Sequence, residues 1–231
     1  KSITYPQSGF KFVSERRLYC SKIGSIPIVL HRVPKGKIKT LTIKRNQADQ
    51  WFACFVCDVE IQEESAKQDR IVGIDVGLTN FIIQSDGVSV PNPRHLVQAE
   101  HRLKKLHRQL SRKKKSSNNW RKTKIRLAKQ YVNVKKIRRD WLHKLTTNII
   151  ERYDVVYVED LNIKNMTKNG YLAKHILDAS WGTFIQMLES KAVTGGCNII
   201  RRDPRGTTTT CSQCGHTEKM PLSKRIFKCS E

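Results

Sequence analysis

Polar and apolar positions alternate at the start of the chain and shift to a longer period near residue 95. Residues 1–66 read as β structure. Within them, residues 25–32 form a short strand, followed by the turn Pro34-Lys-Gly36. Residues 38–45 alternate with a period of two, which places successive side chains on opposite faces of a strand. Asn46-Gln-Ala-Asp49 is a further turn, and residues 50–61 form the next strand. The pattern predicts a small antiparallel barrel or sandwich with basic residues on its polar face. Residues 63–69 are polar enough to be the linker to the next domain. Residues 70–90 then predict a meander: a strand over 71–76, a return over 80–84, the hairpin turn Asp86-Gly87, and a strand over 88–90. Gly77 permits a close backbone approach or a tight bend there.

Residues 94–169 contain neither Gly nor Pro. Leu96, Ala99, Leu103, Leu106 and Leu110 recur at spacings of three and four. Leu127, Tyr131, Val134, Ile137 or Arg138, Trp141 and Leu145 do the same. This spacing predicts two amphipathic helices, broken near residues 116–119 and folded into a hairpin. A helix of about 24 residues is about 36 Å long, so the hairpin is a sizeable arm. A strand over 155–158 comes next and ends at Glu159. Residues 179–191 predict a helix with Trp181, Phe184, Ile185 and Leu188 inward, stopped by Gly195-Gly196. Residues 197–200 are a further strand, and 203–206 a loop.

The chain of 231 residues holds 44 Lys and Arg against 20 Asp and Glu, a net charge of +24. Residues 101–144 alone hold 18 Lys and Arg and one acid, Asp140. A merely solvated helical face mixes signs, so this arm predicts a polyanionic partner, and phosphate neutralisation accounts for it best. Its candidate contacts are Lys104, Lys105, Arg108, Arg112, Lys113, Lys114, Lys115, Arg121, Lys122, Lys124 and Arg126. Trp120 is a candidate for stacking on bases. Tyr131 and Trp141 fit the core stripe and read as packing residues. No apolar run approaches the ~18 residues of a membrane span, and no secretory segment opens the chain. The first residue is Lys1 rather than Met, which predicts a missing upstream piece.

Against this basic background two acids end apolar strands: Asp75 and Glu159. A carboxylate among apolar residues is costly unless it is paired or binds a cation. Asp75 alone reads equally as a turn or cap residue. Glu159 alone reads equally as a neighbour of an N-cap or a salt-bridge partner of the arm. Together, in matching strand contexts and beside a polyanion-binding arm, they predict a metal site. Carboxylates suit Mg²⁺, and two such ions about 3.5–4 Å apart hydrolyse phosphodiesters.

The seven cysteines match no secreted disulfide framework. Cys54 and Cys57 fall three apart in a strand, on opposite faces, and are expected in the core. Cys211 and Cys214 have the spacing that lets two thiolates reach one tetrahedral zinc ion, and Cys229 is a third candidate ligand.

Val72-Gly-Ile-Asp-Val-Gly77, Val158-Glu-Asp-Leu161, Ser180-Trp-Gly-Thr-Phe-Ile-Gln-Met-Leu188 and Thr209-Thr-Cys-Ser-Gln-Cys-Gly215 together resemble the TnpB, or OrfB transposase, family. Compact type V CRISPR nucleases are related to it. The resemblance covers about residues 25–231. It implies an α+β chain: an N-terminal antiparallel β domain, wedge-like or OB-like, over 1–66, and a ribonuclease H-like (RuvC) core over 70–204. That core carries a long basic helical hairpin over 95–151, and a partial zinc ribbon occupies 205–231. The resemblance implies a transposon-associated, RNA-guided DNA endonuclease with a guide RNA and target DNA as partners. Two Mg²⁺ ions would be held by Asp75 and Glu159 as catalytic carboxylates, and a structural Zn²⁺ by Cys211, Cys214 and Cys229. A prokaryotic host and a cytoplasmic, nucleoid-associated location go with this reading.

Residues 1–231 lack three features of the family pattern: a fourth zinc cysteine, the third RuvC carboxylate that comes after the ribbon, and an N-terminal helical recognition insert. The chain is therefore expected to be truncated at both ends or to be a decayed copy. It is expected to be inactive unless the complete protein supplies the third carboxylate. The alternative is a nuclease-dead, repressor-like nucleic-acid-binding protein.

Overall fold

The structure is a computed structural model that describes residues 1–59, 70–204, 209–211, 213–219 and 228–230. The chain divides into two compact units, Lys1–Gln62 with His95–Asp140, and Glu63–Arg94 with Trp141–Glu231.

The first unit holds two three-stranded antiparallel sheets. One orders β1 (Ser2–Pro6), β5 (Lys37–Arg45) and β6 (Trp51–Asp58), with the long strand β5 at the centre. The other orders β2 (Phe10–Ser14), β3 (Arg17–Cys20) and β4 (Gly24–Pro27). Inward positions of the strands supply a core of Tyr5, Leu18, Cys20, Leu41 and Ile43, with Phe12 and Phe55 ring to ring at 5.3 Å. The expected strand over 25–32 stops at Pro27, where a ring replaces the N–H donor that a longer ladder needs. Cys54 and Cys57 do lie on opposite faces, but neither is a core cysteine. β6 is an edge strand, leaving Cys54 exposed and Cys57 half-buried. The end of the expected strand over 50–61 and the linker over 63–69 lie outside the described residues.

The same unit contains α1 (His95–Ser111) and the first part of α2 (Asn118–Arg152). Leu103, Thr123, Leu127 and Val134 are buried along them. Tyr131 and Ile137, expected to pack, are 45% and 48% exposed instead. Tyr131 uses its hydroxyl on His107 Nε2 at 2.8 Å. Lys113 is half-buried and ties the turn between the helices, donating to Thr123 Oγ1 at 2.5 Å and Asn119 O at 3.4 Å.

The second unit is built on a five-stranded mixed sheet in the order β11-β10-β7-β8-β9. β7 (Ile71–Val76) runs antiparallel to β8 (Asn80–Gln84), which pairs with β9 (Ser89–Pro91). On its other side β7 is parallel to β10 (Val155–Glu159), and β10 is parallel to β11 (Asn198–Arg202). Gly77 makes the first turn possible, because a Cβ there would sit 2.8 Å from Asn80 O. One face of the sheet presents Val72, Ile74, Val156 and Val158 to the core. The C-terminal part of α2 and α5 (Trp181–Gly195) supply Leu142, Ile149, Phe184 and Leu188 to that core. Phe81 meets Trp141 and Phe184 edge-on at 4.7 and 5.2 Å. Trp141 is thus a packing residue, as its place in the stripe implied.

Between β10 and β11 run two short helices that the sequence pattern did not reveal, α3 (Ile163–Met166) and α4 (Ala173–Ala179). Ser180, at φ 58°, turns the chain from α4 into α5. Gly196, at φ 62°, ends α5.

Candidate active site

The second unit brings Asp75 and Glu159 together. Val158 of β10 is the register partner of Ile74 of β7, so each acid comes directly after one member of a paired couple. Register partners on parallel strands share a face. Asp75 and Glu159 therefore project from the face opposite the Val72–Val158 core. Both line one shallow hollow with Gly73, Ile83, Tyr157 and Arg202. Ile71 and Ile83 are exposed on this face. Ser85 Oγ accepts from Gly73 N–H at 3.0 Å and holds the strand beneath the hollow.

Desolvation pushes the Asp75 carboxyl above its ordinary pKa, and a hydrogen bond from the Val76 backbone N–H pulls the other way. Burial penalises the charged form, and a cation at the site would relieve that cost. Two neighbouring carboxylates on a rigid sheet offer hard oxygen ligands of the kind a magnesium ion takes.

Arg201 and Arg202 were not singled out from sequence. The apolar run at 197–200 placed the strand end too early, but two consecutive arginines at that end were the available signal. Arg201 lies on the core side of β11. It donates from Nη1 to Asp160 Oδ1 at 2.9 Å and reaches Glu189 Oε1 from Nη2 at 2.7 Å. It thereby fastens the residue after Glu159 to α5. Arg202 is the register partner of Glu159, and its guanidinium lies 5.2 Å from the Tyr157 ring centroid.

The three predicted metal-binding cysteines also converge. The Sγ atoms of Cys211, Cys214 and Cys229 lie within 4.8 Å of one another, and Cys214 and Cys229 approach to 3.5 Å. Thiolates about 2.3 Å from one tetrahedral ion stand roughly 3.8 Å apart, so the group could hold a metal ion such as zinc. The knuckle is closed by Gly215 N–H donating to Cys211 O at 3.0 Å and Cys211 N–H to His216 O at 2.8 Å. Gly215 sits at φ 76°, which favours glycine. Backbone N–H groups of Cys214 and Gln213 lower the Cys211 thiol pKa to about 7.

Of the eleven candidate phosphate contacts on the arm, all but Lys113 are exposed. Lys104 pairs with Glu100 at 2.9 Å, and Lys124 lies over the Trp120 ring at 4.8 Å. Among the described residues no helix is long and apolar enough to cross a membrane.

A family model described as "Cas12f1-like, TNB domain" matches residues 181–231. The chain is 35% identical over 200 residues to a Streptomyces pristinaespiralis protein named "Putative RNA-guided DNA endonuclease", covering 85% of this chain and 50% of that protein. It is 30% identical over 242 residues to "Putative RNA-guided DNA endonuclease InsQ" of Escherichia coli strain K12, covering 97% of this chain and 60% of that protein. The chain thus spans about half the length of the curated relatives it matches. Its fold is similar to that in a "Cryo-EM structure of the Cas12f1-sgRNA-target DNA complex", with a TM-score of 0.57 and 18% identity over 84% of this chain and 42% of that one. The OrfB model, described as "Probable transposase", matches residues 54–170, about half of the chain. The chain belongs to the OrfB transposase family.

Proposed function

We propose that this chain is part of an RNA-guided DNA endonuclease of a transposable element, with Asp75 and Glu159 as metal-holding carboxylates of a RuvC-type centre. The adjacency of these two acids on neighbouring parallel strands carries the reading. The names of the relatives support the same kind of activity. Bound Mg²⁺ ions would polarise the phosphodiester and supply a hydroxide nucleophile at neutral pH. The chain's own residues do the rest. β7 and β10 fix the acids at the ends of rigid strands, and Arg201 restrains the backbone after Glu159. The exposed cations of α1 and α2 grip phosphates without reading bases. Sequence would then be read by pairing between guide RNA and target strand. The cysteine group takes structural zinc, and the functional domains of this reading are 1–66, 70–204 with its helical arm over 95–151, and 205–231.

The experiment combines the complete protein, RNA from the transposon end and matching DNA, with Mg²⁺ or with a chelator. Cutting at the matched site with Mg²⁺ alone supports the reading. A second reading has an observation of its own: among the described residues, the charged ones lining the hollow are Asp75, Glu159 and Arg202. On that reading the protein binds matched DNA without cutting it, and the same mixture would show matched binding and no cleavage.

A further inference from the structure

We propose that Arg202 grips a phosphate of the nucleic-acid strand passing Asp75 and Glu159, giving the hollow a substrate-binding cation beside its two acids. This rests on the nuclease reading and adds a residue that neither motif nor charge run marked. Three observations carry it. Arg202 is the β11 register partner of Glu159, so it shares the face from which Glu159 and Asp75 project. All three line the same hollow. Its guanidinium rests against the Tyr157 ring, 5.2 Å from the centroid, and the residue is exposed on an edge strand of the sheet.

The neighbouring arginine sharpens the contrast. Arg201, on the opposite face, is matched by Asp160 and Glu189 and acts within the fold. Arg202 has an aromatic face for a neighbour. A guanidinium lying against a ring keeps its N–H edge available, and its fork matches two oxygens of one phosphate. Such a contact also limits the side chain's freedom beforehand, so less entropy is lost when the anion binds. The ligand class is a phosphodiester of a single strand or of a duplex edge, held within reach of the carboxylates.

The test uses this chain labelled with nitrogen-15 arginine, in Ca²⁺ buffer, with single-stranded hexathymidylate as probe. The Arg202 Nε–H signal, assigned through Arg202→Lys, is expected to shift as the strand is added. Arg202→Ala is expected to reduce the salt slope of binding by about 0.7, the contribution of one single-strand phosphate contact, and Arg202→Lys to retain it. An Arg202 signal that stays in place while the arm arginines shift overturns the proposal. In the cleaving complex, Arg202→Ala is expected to lower the rate at saturating Mg²⁺ by about 100-fold, as loss of a preorganised charge contact does. If the variant instead reaches the unmodified plateau at lower Mg²⁺, Arg202 is only a counter-ion of the acids and the proposal falls. An Asp75→Ala protein that still cuts would sink the assignment of Asp75 to the metal centre, while the Arg202 signal would still report whether that residue meets phosphate.

Discussion

Asp75 and Glu159 stand side by side on adjacent parallel strands, each one residue beyond the paired couple Ile74 and Val158. They are 84 residues apart in the chain, and the sheet makes them neighbours.

This placement has a stability consequence at Asp75. Desolvation raises its folded pKa above the unfolded value of about 3.9. Below the unfolded value both states hold the proton, and the group contributes nothing to pH dependence. As pH rises toward the folded value, the unfolded chain releases its proton first and the folded state loses stability. Above the folded value the penalty is complete. Asp75→Asn is therefore expected to raise the Tm of the metal-free protein at pH 7 and leave it unchanged at pH 3. Thermal melts at the two pH values check this, and equal melts at pH 7 would contradict it.

Arg201 makes two ion pairs, to Asp160 and Glu189, with all three side chains 41–58% exposed. Solvent screens such pairs, so Arg201→Ala is expected to cost less than about 1 kcal/mol in urea unfolding. Its larger effect is expected on metal binding, because it loosens the backbone beside Glu159. A calorimetric titration with Mn²⁺ should show weaker binding in the variant than in the unmodified chain.

The strands from β5 onward were legible because alternation is local, and the two acids because carboxylates rarely end apolar strands; β1, β2 and β3 were covered only by the general β character of residues 1–66. The contact between Tyr157 and Arg202 was not legible, since it depends on the parallel pairing of β10 with β11 across the intervening helices. α3 and α4, of 4 and 7 residues, are too short to display a period. In α2 the alternating three-and-four spacing drifts about 20° per heptad from the true helical period. The buried positions run from Leu127 and Val134 to Leu142, Thr146 and Ile149, while Tyr131, on the same side as Leu127, and Ile137 are exposed.

The cysteine knuckle yields a separate prediction. With its pKa lowered to about 7, the Cys211 thiol is mostly thiolate at pH 8. An ordinary thiol, at about 8.5, is mostly protonated there. Alkylation of Cys211 in the zinc-free chain should therefore rise with a midpoint near pH 7, read by mass spectrometry. Zinc at about 100 times its Kd should stabilise the chain by about 2.7 kcal/mol. Replacing Cys211, Cys214 and Cys229 with Ser should remove that gain.

We expect Asp75 and Glu159 to work as one metal-dependent cutting centre. Its most direct measurement is the cleavage rate of guide-loaded complete protein carrying Asp75→Ala, Glu159→Ala or both. Groups that act as a unit are non-additive, so each single variant should fall to the same floor as the double. Cleavage that persists at the unmodified rate in either single variant would contradict the account.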